Sequence, residues 1–506
     1  MNTIQVLQRL NRETKAEVFL VGGFVRDYLR NKKNNDLDVV VRGLSPRNLK
    51  KFLKRHGSLK EVNLSQTSDE IEVSVLLFKA KGDDLEAQIS LPRRGKLQIP
   101  DSRNTLKQDV RFRDLRFNCL YLPINYKSRA DVIDLVGGID DIKARRIVAN
   151  GSAVERFRES PVRMLRVLSL AARTDYAIEK ETLAAIGKCS HLINKVPPEV
   201  IRMEFDKMLL SKKPSKYLRL LNKTGLLIHF AKELVDCVGC KQDKRYHKYD
   251  VFTHLIYSAD HAEPDLIVRL AAILHDTGKA PTRKEVMVDG KARITFHKHE
   301  MLSVKLAREF LKRLRYEKAV IDQVLLLVKL HMYHYTREWT DGAVRRFIKR
   351  AAMSEEWLVE DKIGEFPLFK LRSAERLGSG FKNIAVTERQ KDFEARILQV
   401  YNESRTLEIK DLVVNGTDLM EVFKIPAGKT IGDVLTHLLN LVLEDPELNE
   451  RMTLLKLATE YIAGLGGKKD GPGRTDDQHF TEGQTKRSGG ATELKSFFRS
   501  SAHKAE

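Results

Sequence analysis

The stretch LVGGFVRDYLRNKKNNDLDVVVRG, residues 20–43, decides the fold of the first part of the chain. Its apolar ends predict two short strands, and the glycines Gly22 and Gly23 fall between the first strand and a predicted helix. Because glycine lacks a side chain, backbone N–H groups can approach a phosphate there, and a helix N-terminus favours its negative charge. The stretch therefore predicts a phosphate-binding turn in a small α/β domain.

Two aspartates, Asp36 and Asp38, stand two residues apart at the second predicted strand. Side chains at i and i+2 of a strand point to the same face, so both carboxylates are expected on one side. Such a pair can hold magnesium for an in-line displacement on a triphosphate, which Arg26 is placed to contact. An isolated pair of this kind is usually a solvated strand end, but the preceding glycines favour the catalytic interpretation.

The composition indicates a folded protein of more than one domain that binds a polyanion. Its 506 residues exceed what one hydrophobic core usually organises. Lys and Arg number 90 against 69 Asp and Glu, and the net charge of +21 attracts nucleic acid. The first residues lack the apolar segment of a signal peptide, and no apolar run reaches bilayer length, so we expect a cytoplasmic protein without membrane contact.

The pattern of the sequence changes after about 150 residues. Alternating runs such as IEVSVLLFKA (71–80) come before this point, and apolar residues at helical spacing such as SPVRMLRVLSLAAR (160–173) come after it. The fold class that we predict is α+β, with a small α/β head on a mixed sheet followed by an all-α neck, body and further domain. The end of the chain, poor in apolar residues and rich in glycine and charge, predicts a disordered tail.

These motifs resemble the class II family of CCA-adding tRNA nucleotidyltransferases and bacterial poly(A) polymerases. The family's GGxVRD…DxD pattern is matched by Gly22, Gly23, Val25, Arg26, Asp27, Asp36 and Asp38. A second family motif lies over residues 109–119, and the resemblance implies that Arg113, Asp114 and Asn118 close the site around the sugar and phosphates of a nucleotide.

The same resemblance extends to the segment ESPVRMLRVLSLAAR. It corresponds to the family's nucleotide-selecting helix and implies that Ser160, Arg163 and Arg166 contact the incoming nucleotide, with Ser160 where the family has Asp. A further departure is Gln88, which occupies a position that is usually acidic. Glu86, two residues earlier on the same strand face, is the expected third carboxylate at the magnesium site.

Histidines further along the chain indicate a second metal site. His254 is followed about twenty residues later by His275 and Asp276, and imidazole with carboxylate suits a divalent ion that serves hydrolysis. This pattern resembles the HD phosphohydrolase domain found in several nucleotidyltransferases of the family. The resemblance implies that a divalent metal is bound by His254, His275, Asp276 and Glu375, with His299 and His331 as further candidates.

The resemblance covers about residues 18–462 and implies an enzyme that adds CCA from CTP and ATP to tRNA 3′ ends with Mg²⁺ in the head. The motifs also fit a poly(A) polymerase of the same family, and an HD phosphohydrolase or a non-catalytic RNA-binding relative are further alternatives. The expected parts are a nucleotidyltransferase head (1–148), a helical neck (149–235), an HD-type domain (236–385), a C-terminal RNA-holding segment (386–463) and a disordered tail (464–506).

Overall fold

The computed structural model describes residues 1–65, 72–94, 99–288, 291–381, 384–403 and 408–466. Its contacts divide the chain into two units, Met1–Tyr316 with Leu377–Phe381 and Glu317–Arg376 with Lys382–Glu506. The five-part division stays a prediction. Most of the predicted tail lies outside the described residues, and its first three residues belong to the last helix.

The head of the first unit is built on a mixed sheet. The strands are β1 (Glu17–Val21), β2 (Leu37–Arg42), β3 (Gly57–Ser65), β4 (Glu72–Ala80), β5 (Glu86–Ser90), β6 (Arg93–Arg94), β7 (Ile99–Pro100), β8 (Leu120–Pro123) and β9 (Ile133–Asp134). Seven of them form one sheet in the order β3-β4-β5-β2-β1-β8-β9. The β2–β5 pair is parallel and the other pairs of this sheet are antiparallel, which confirms the predicted mixed sheet.

The helices of the head and neck follow the predicted pattern. They are α1 (Thr3–Glu13), α2 (Gly22–Leu29), α3 (Pro46–His56), α4 (Leu106–Asp109), α5 (Gly138–Lys143), α6 (Ala153–Glu159), α7 (Val162–Thr174), α8 (Lys180–Cys189), α9 (Pro198–Leu209), α10 (Pro214–Lys223) and α11 (Lys232–Val235). Two short strands, β10 (Arg146–Ile147) and β11 (Ala177–Ile178), pair in parallel where the head meets the neck.

The two faces of the sheet are covered by different clusters of apolar residues. Apolar residues of α1 and α3, including Leu7 and Leu53, bury one face together with alternate strand residues such as Val39. The intervening residues of the same strands, such as Val40 and Tyr121, form a smaller cluster on the opposite face. Side chains alternate along a strand, so the functional residues of β2 lie on the side of the smaller cluster.

The remainder of the first unit is helical except for one hairpin. Its elements are α12 (Val251–His261), α13 (Leu266–Leu274), α14 (Lys279–Thr282), β12 (Arg283–Val288), β13 (Lys291–Phe296) and α15 (His299–Arg313). The antiparallel hairpin of β12 and β13 departs from the all-α arrangement predicted for this part of the chain, while the α+β fold class is confirmed. All four cysteines are free; three are buried, and Cys240 is half-buried.

The described part of the second unit is helical. Its helices are α16 (Lys318–Leu330), α17 (Asp341–Arg350), α18 (Pro367–Gly378), α19 (Glu388–Glu403), α20 (Gly416–Phe423), α21 (Lys429–Glu444) and α22 (Arg451–Gly466). Leucine, valine and alanine side chains of α20–α22 form one core cluster, and aromatic residues around Tyr333 and Phe393 form another contact group. Among the described residues, no helix has the length and apolar character needed to cross a membrane.

Candidate functional site

The two predicted catalytic aspartates lie at the start of β2. Asp38 is within the strand, and Asp36 is the residue before its first position. The pKa of Asp38 is raised to about 6, mainly by burial, with Arg113 opposing the rise and the negative charge of Asp36 contributing to it. Asp114 also raises this pKa, whereas Arg166 lowers it. The site therefore concentrates negative charge and places two arginines within electrostatic reach of it.

The glycine turn meets this carboxylate cluster directly. Gly22 has a left-handed backbone with φ of 66°; both glycines, expected between strand and helix, are the first two residues of α2. A Cβ atom at Gly22 would stand 2.8 Å from Asp38 Oδ2, closer than real Cβ contacts allow. At Gly23 the nearest atoms to such a Cβ are those of Asn34 and Arg26. The missing side chains therefore leave room between the turn and the carboxylate, as phosphate binding requires.

Arg26 is held in a network beneath the turn. Its guanidinium pairs with Asp27 at 2.6 Å, and its Nη1 donates to Asn118 Oδ1 at 3.1 Å. The Asn34 amide donates to Asp27 at 2.8 Å, and Asn34 Oδ1 accepts the Asp36 backbone N–H at 2.8 Å. Asp27 and Asn34 thus link Arg26 to the Asp36 segment, and the contact of Arg26 and Asn118 with a nucleotide stays a prediction.

Arg113 is fixed beside the site by a buried carboxylate. Asp109 is 1% exposed and accepts hydrogen bonds from Arg113 Nε at 2.8 Å, from Tyr121 Oη at 2.7 Å and from the Arg93 backbone N–H at 3.0 Å. Burial alone would raise the pKa of Asp109, but the Arg113 and Arg93 charges lower it. The carboxylate is therefore ionised and orients Arg113 towards the Asp38 side.

The neck supplies Ser160, Arg163 and Arg166, as the resemblance implied. Arg163 is buried; it donates to Glu159 Oε2 at 2.8 Å and to the Phe112 carbonyl at 3.0 Å. Ser160 is buried at the end of α6, and Arg166 is exposed on α7. The Arg163 side chain ties the neck to the head loop, and its role in choosing a base stays a prediction.

The candidate third carboxylate, Glu86, lies at the first position of β5. The parallel register pairs Asp38 with Gln88, so Glu86 is one step further along the same strand face. Both Glu86 and Gln88 are exposed, whereas the negative charges that act on Asp38 come from Asp36 and Asp114. Whether Glu86 contributes to a metal site stays a prediction.

The head donor set fits magnesium. Oxygen ligands from carboxylates are what this ion prefers, and Asp36 and Asp38 lie together at one strand end, with like charges raising the pKa of Asp38. A dication would remove this repulsion. Asp36 is exposed, so the site is open to a large substrate.

A second cluster, here called the histidine cluster, consists of His254, His275, Asp276 and His299. The first three are no more than 1% exposed, and their ligand atoms lie within 4.8 Å of one another. His254 Nε2 is 3.2 Å from His275 Nε2, and His275 Nε2 is 3.4 Å from Asp276 Oδ2. His299 Nε2 lies 3.1 Å from Asp276 Oδ1. Four of the predicted residues thus lie together within the first unit.

The ring orientations in the histidine cluster fit a divalent ion. His275 Nδ1 is 2.9 Å from the Ala272 carbonyl, and His299 Nδ1 is 2.8 Å from the Phe296 carbonyl. A carbonyl only accepts, so each Nδ1 carries a proton and each Nε2 is directed at Asp276, where a neutral ring would offer a lone pair to an ion. Burial lowers the pKa of His254 to about 3, so this ring is neutral, as a metal ligand must be.

The other two predicted ligands, His331 and Glu375, belong to the second unit. His331 follows α16 and is buried, with Nδ1 2.7 Å from the Val328 carbonyl. Glu375 on α18 accepts a hydrogen bond from Arg372 at 2.7 Å. Their membership in a metal site stays a prediction.

The sequence interpretation did not select several residues that hold these sites in place. Lys279 Nζ lies 2.6 Å from Asp276 Oδ2, and the HDTGK run could have indicated it because i and i+3 are neighbours on a helical turn. Asn34 and Arg93 carried no signal of their own, because their partners depend on how distant segments meet in the fold. Tyr121 reaches Asp109 only through the folded sheet.

Three family models match the chain. They are described as "Poly A polymerase head domain" (residues 18–148), "Probable RNA and SrmB- binding site of polymerase A" (175–237) and "tRNA nucleotidyltransferase domain 2 putative" (298–458). Together with the carboxylate pair and the glycine turn, they define an RNA nucleotidyltransferase. The chain belongs to the family of CCA-adding tRNA nucleotidyltransferases and poly(A) polymerases.

Relatives with assigned names agree with this family. A "Multifunctional CCA protein" of Cupriavidus metallidurans is 28% identical over 356 residues, which are 66% of this chain and 79% of that protein. A "CCA-adding enzyme" of Enterococcus faecalis is 33% identical over 214 residues, 40% of this chain and 48% of that protein.

Solved structures show the same fold. The CCA-adding enzyme of Bacillus stearothermophilus in complex with CTP superposes with a TM-score of 0.60 at 18% identity, covering 92% of this chain and 98% of that one. The Thermotoga maritima enzyme complexed with tRNA gives a TM-score of 0.51 at 20% identity, covering 90% and 94%.

Proposed function

We propose that this chain adds CCA to tRNA 3′ ends, using CTP and ATP without a nucleic-acid template. The observation that carries the proposal is the placement of Asp36 and Asp38 at one strand end beside the glycine turn, with Arg113 and Arg166 in reach. The relatives named for CCA addition support the choice of product. We place the reaction in the cytoplasm, where tRNA precursors meet both nucleotides.

The residues of the head divide the work of the transfer. The Gly22–Gly23 turn leaves space for the triphosphate, and the backbone N–H groups at the start of α2, which have no partner within the helix, are available to its negative charge. Asp36 and Asp38 would hold magnesium, which neutralises the leaving pyrophosphate and makes the 3′-hydroxyl more acidic when it is bound. Arg113, held by Asp109, positions a fixed positive charge beside the phosphates.

Two arginines of the neck lie where they can contact the incoming nucleotide and determine which base is accepted. Arg166 is exposed on α7 and acts electrostatically on Asp38, so its guanidinium can contact a nucleotide bound at the carboxylates. Arg163 is held by Glu159 and by the Phe112 carbonyl, which fixes its orientation. A rigid guanidinium offers a defined set of donors, which is what reading a base edge requires.

The test is incorporation of labelled nucleotides into tRNA transcripts. Transcripts ending before CCA, after C and after CC are incubated with magnesium and with CTP and ATP, separately and together. Ordered addition that stops at CCA is expected from the intact protein. Asp36→Ala should abolish it, whereas Asp140→Ala, at a carboxylate that is 75% exposed on α5, should retain it.

Each other outcome points elsewhere. Long A-tracts from ATP alone would identify a poly(A) polymerase of the same family. Binding of tRNA without incorporation by the intact protein would indicate a non-catalytic RNA-binding relative.

A second activity is supported by the histidine cluster. We propose that His254, His275 and Asp276 bind a divalent metal that supports hydrolysis of phosphate esters at RNA ends. One water opens a 2′,3′-cyclic phosphate at an RNA end to a phosphate monoester, and a second water releases inorganic phosphate from that monoester. Both hydrolyses should require added metal and should survive Asp36→Ala. Release that persists unchanged in His275→Ala, or release lost in Asp36→Ala, would contradict this assignment.

A further inference from the structure

The helix α3 carries a concentrated positive charge on the head. Between Asp38 and Glu61 the sequence has seven Lys and Arg and no acidic residue. Five of these lie within the eleven residues of α3. Arg47, Lys51 and Arg55 follow one another at i, i+4 and i+8, so they form a stripe along one side of the helix, about 12 Å long.

This stripe has no compensating charge in the described structure. Lys50 pairs with Glu61 and Arg42 with Glu17, but Arg47, Lys51 and Arg55 are exposed and form no ion pair with the described residues. Like charges at i and i+4 repel one another along a helix. Arg47 in the first turn opposes the helix dipole, whereas Arg55 in the last turn is favoured by it. A polyanion bound along the stripe would relieve the repulsion between its neighbouring positive charges.

The opposite side of α3 fixes the helix to the head. Leu49 and Leu53 are no more than 1% exposed and belong to the core cluster on the α1 and α3 face of the sheet. Asp38 lies on the other face, on the side of Val40. The positive stripe is thus rigidly presented and separate from the transfer site.

We infer that the Arg47–Lys51–Arg55 stripe is a second contact surface for RNA, which binds the phosphate backbone without reading sequence. Double-stranded DNA presents about one charge per 1.7 Å of its axis, and a base-paired RNA segment is similarly dense in phosphates. The stripe, about 12 Å long, can therefore meet one phosphate for each cation. The inference rests on the proposed function only in that the substrate is RNA. RNA bound here does not occupy the face that holds Asp36 and Asp38.

The packing of α3 favours RNA over an anionic membrane. Helices that bind membrane surfaces insert an apolar side into the lipid, but the apolar side of α3 is already buried in the core. The side of α3 that faces solvent therefore presents positively charged side chains. Charge without an apolar face is the usual means by which proteins follow a nucleic-acid backbone.

The test compares two triple variants of the full chain in an RNA-binding titration. The first is Arg47→Ala/Lys51→Ala/Arg55→Ala, and alanine keeps the helix because it has the highest helix propensity. The control is Lys305→Ala/Arg308→Ala/Lys312→Ala, which removes the same charge from exposed positions of α15, where acidic residues are interspersed. Fluorescence anisotropy of a 5′-labelled tRNA transcript is measured over a series of salt concentrations.

The first variant should bind about tenfold more weakly, and the slope of log K against log salt should fall by about 2 to 3, one unit for each lost phosphate contact. The control should keep the slope of the intact protein. At saturating tRNA, the kcat for nucleotide incorporation should be unchanged in both variants, while the KM for tRNA rises only in the first.

Two results would overturn the inference: an unchanged slope in the α3 variant, or an equal loss in both variants. A third would also do so, namely unchanged RNA affinity together with lost sedimentation on phosphatidylserine and phosphatidylcholine vesicles, which would assign the stripe to membranes. Because binding is read without catalysis, failure of CCA addition leaves the titration interpretable.

Discussion

The head site and the histidine cluster both gather acidic and basic groups, but they differ in how they meet solvent. Asp36 is exposed at a strand end, and a glycine turn leaves space beside Asp38. His254, His275 and Asp276 are buried, and the Nδ1 proton of His275 is held by a backbone carbonyl. An open site suits the end of a macromolecule, whereas a buried one suits a firmly held ion. Substitutions in the head site and in the histidine cluster should therefore affect different activities.

The largest effect is expected from Asp38→Asn. Removing one negative charge from the carboxylate pair should lower nucleotide incorporation by at least about 10³-fold, because the magnesium ligand is lost at the reacting centre. Metal-dependent phosphate release by the histidine cluster should continue. Parallel assays on one preparation check both statements, and loss of both activities would contradict the independence of the two sites.

The reverse test is His275→Ala. Divalent metal bound by the purified protein should weaken by at least about 100-fold, because a direct ligand and its orienting contact to the Ala272 carbonyl are removed. Equilibrium dialysis followed by elemental analysis measures the change, and nucleotide incorporation serves as the internal reference. His191→Ala, at an exposed histidine outside the cluster, is the matched control and should leave metal binding intact.

A smaller effect is expected at the turn that makes the head site open. Gly22→Ala places a methyl group 2.8 Å from Asp38 Oδ2 and strains a left-handed backbone. A displaced turn should reduce kcat for incorporation by about 10- to 100-fold. Gly82→Ala has a similar positive φ but open space around it, so it should lose stability without losing activity. Equal activity losses in both variants would show that strain, not space at Asp38, is responsible.

The smallest expected effect concerns a buried carboxyl group outside the two sites, whose raised pKa affects stability and not activity. Asp206 on α9 has its pKa raised to about 6 by burial, as Asp38 has, but it contacts Tyr316 at 2.5 Å and no other acidic group is among the causes of the shift. The folded carboxyl keeps its proton to a higher pH than the unfolded one. Its stabilising contribution is therefore full below pH 4 and is lost as pH rises through 6.

Asp206→Asn removes this titration. At pH 7.5 the variant should gain about 1 kcal/mol in unfolding free energy relative to the intact protein, and the gain should shrink towards pH 5. The thermal midpoint measured at both pH values checks the sign. A variant that is less stable at pH 7.5 would show that the hydrogen bond to Tyr316 outweighs the cost of burying the charge.

Much of the head was predictable from sequence because its determinants are local. The glycines and the Asp36–Asp38 spacing act within one strand–turn–helix segment, and period-two alternation assigned β4 and β5. The β12–β13 hairpin was not predicted, because its strands lie between strongly helical segments and are only partly buried, so their alternation is weak.

The partners of the site residues were harder to predict. Arg163 pairs with Glu159 four residues earlier, which a helical pattern can indicate, but its bond to the Phe112 carbonyl depends on how the neck meets the head. Asn34 joins Asp27 to the Asp36 backbone through a loop whose path no periodicity determines. The sequence motifs predicted which residues take part in the chemistry. The fold was needed to identify the atoms that hold those residues in position.

One cysteine lies near the histidine cluster and can be labelled to monitor it. Cys240 is the only one of the four that is not buried, and it lies two residues from Gln242, whose side chain accepts a hydrogen bond from Lys279 at 2.9 Å. Lys279 in turn contacts Asp276. A fluorophore attached through this thiol would therefore sit a short chain of contacts away from the histidines, and its emission would report on ion occupancy in the intact protein without introduced mutations.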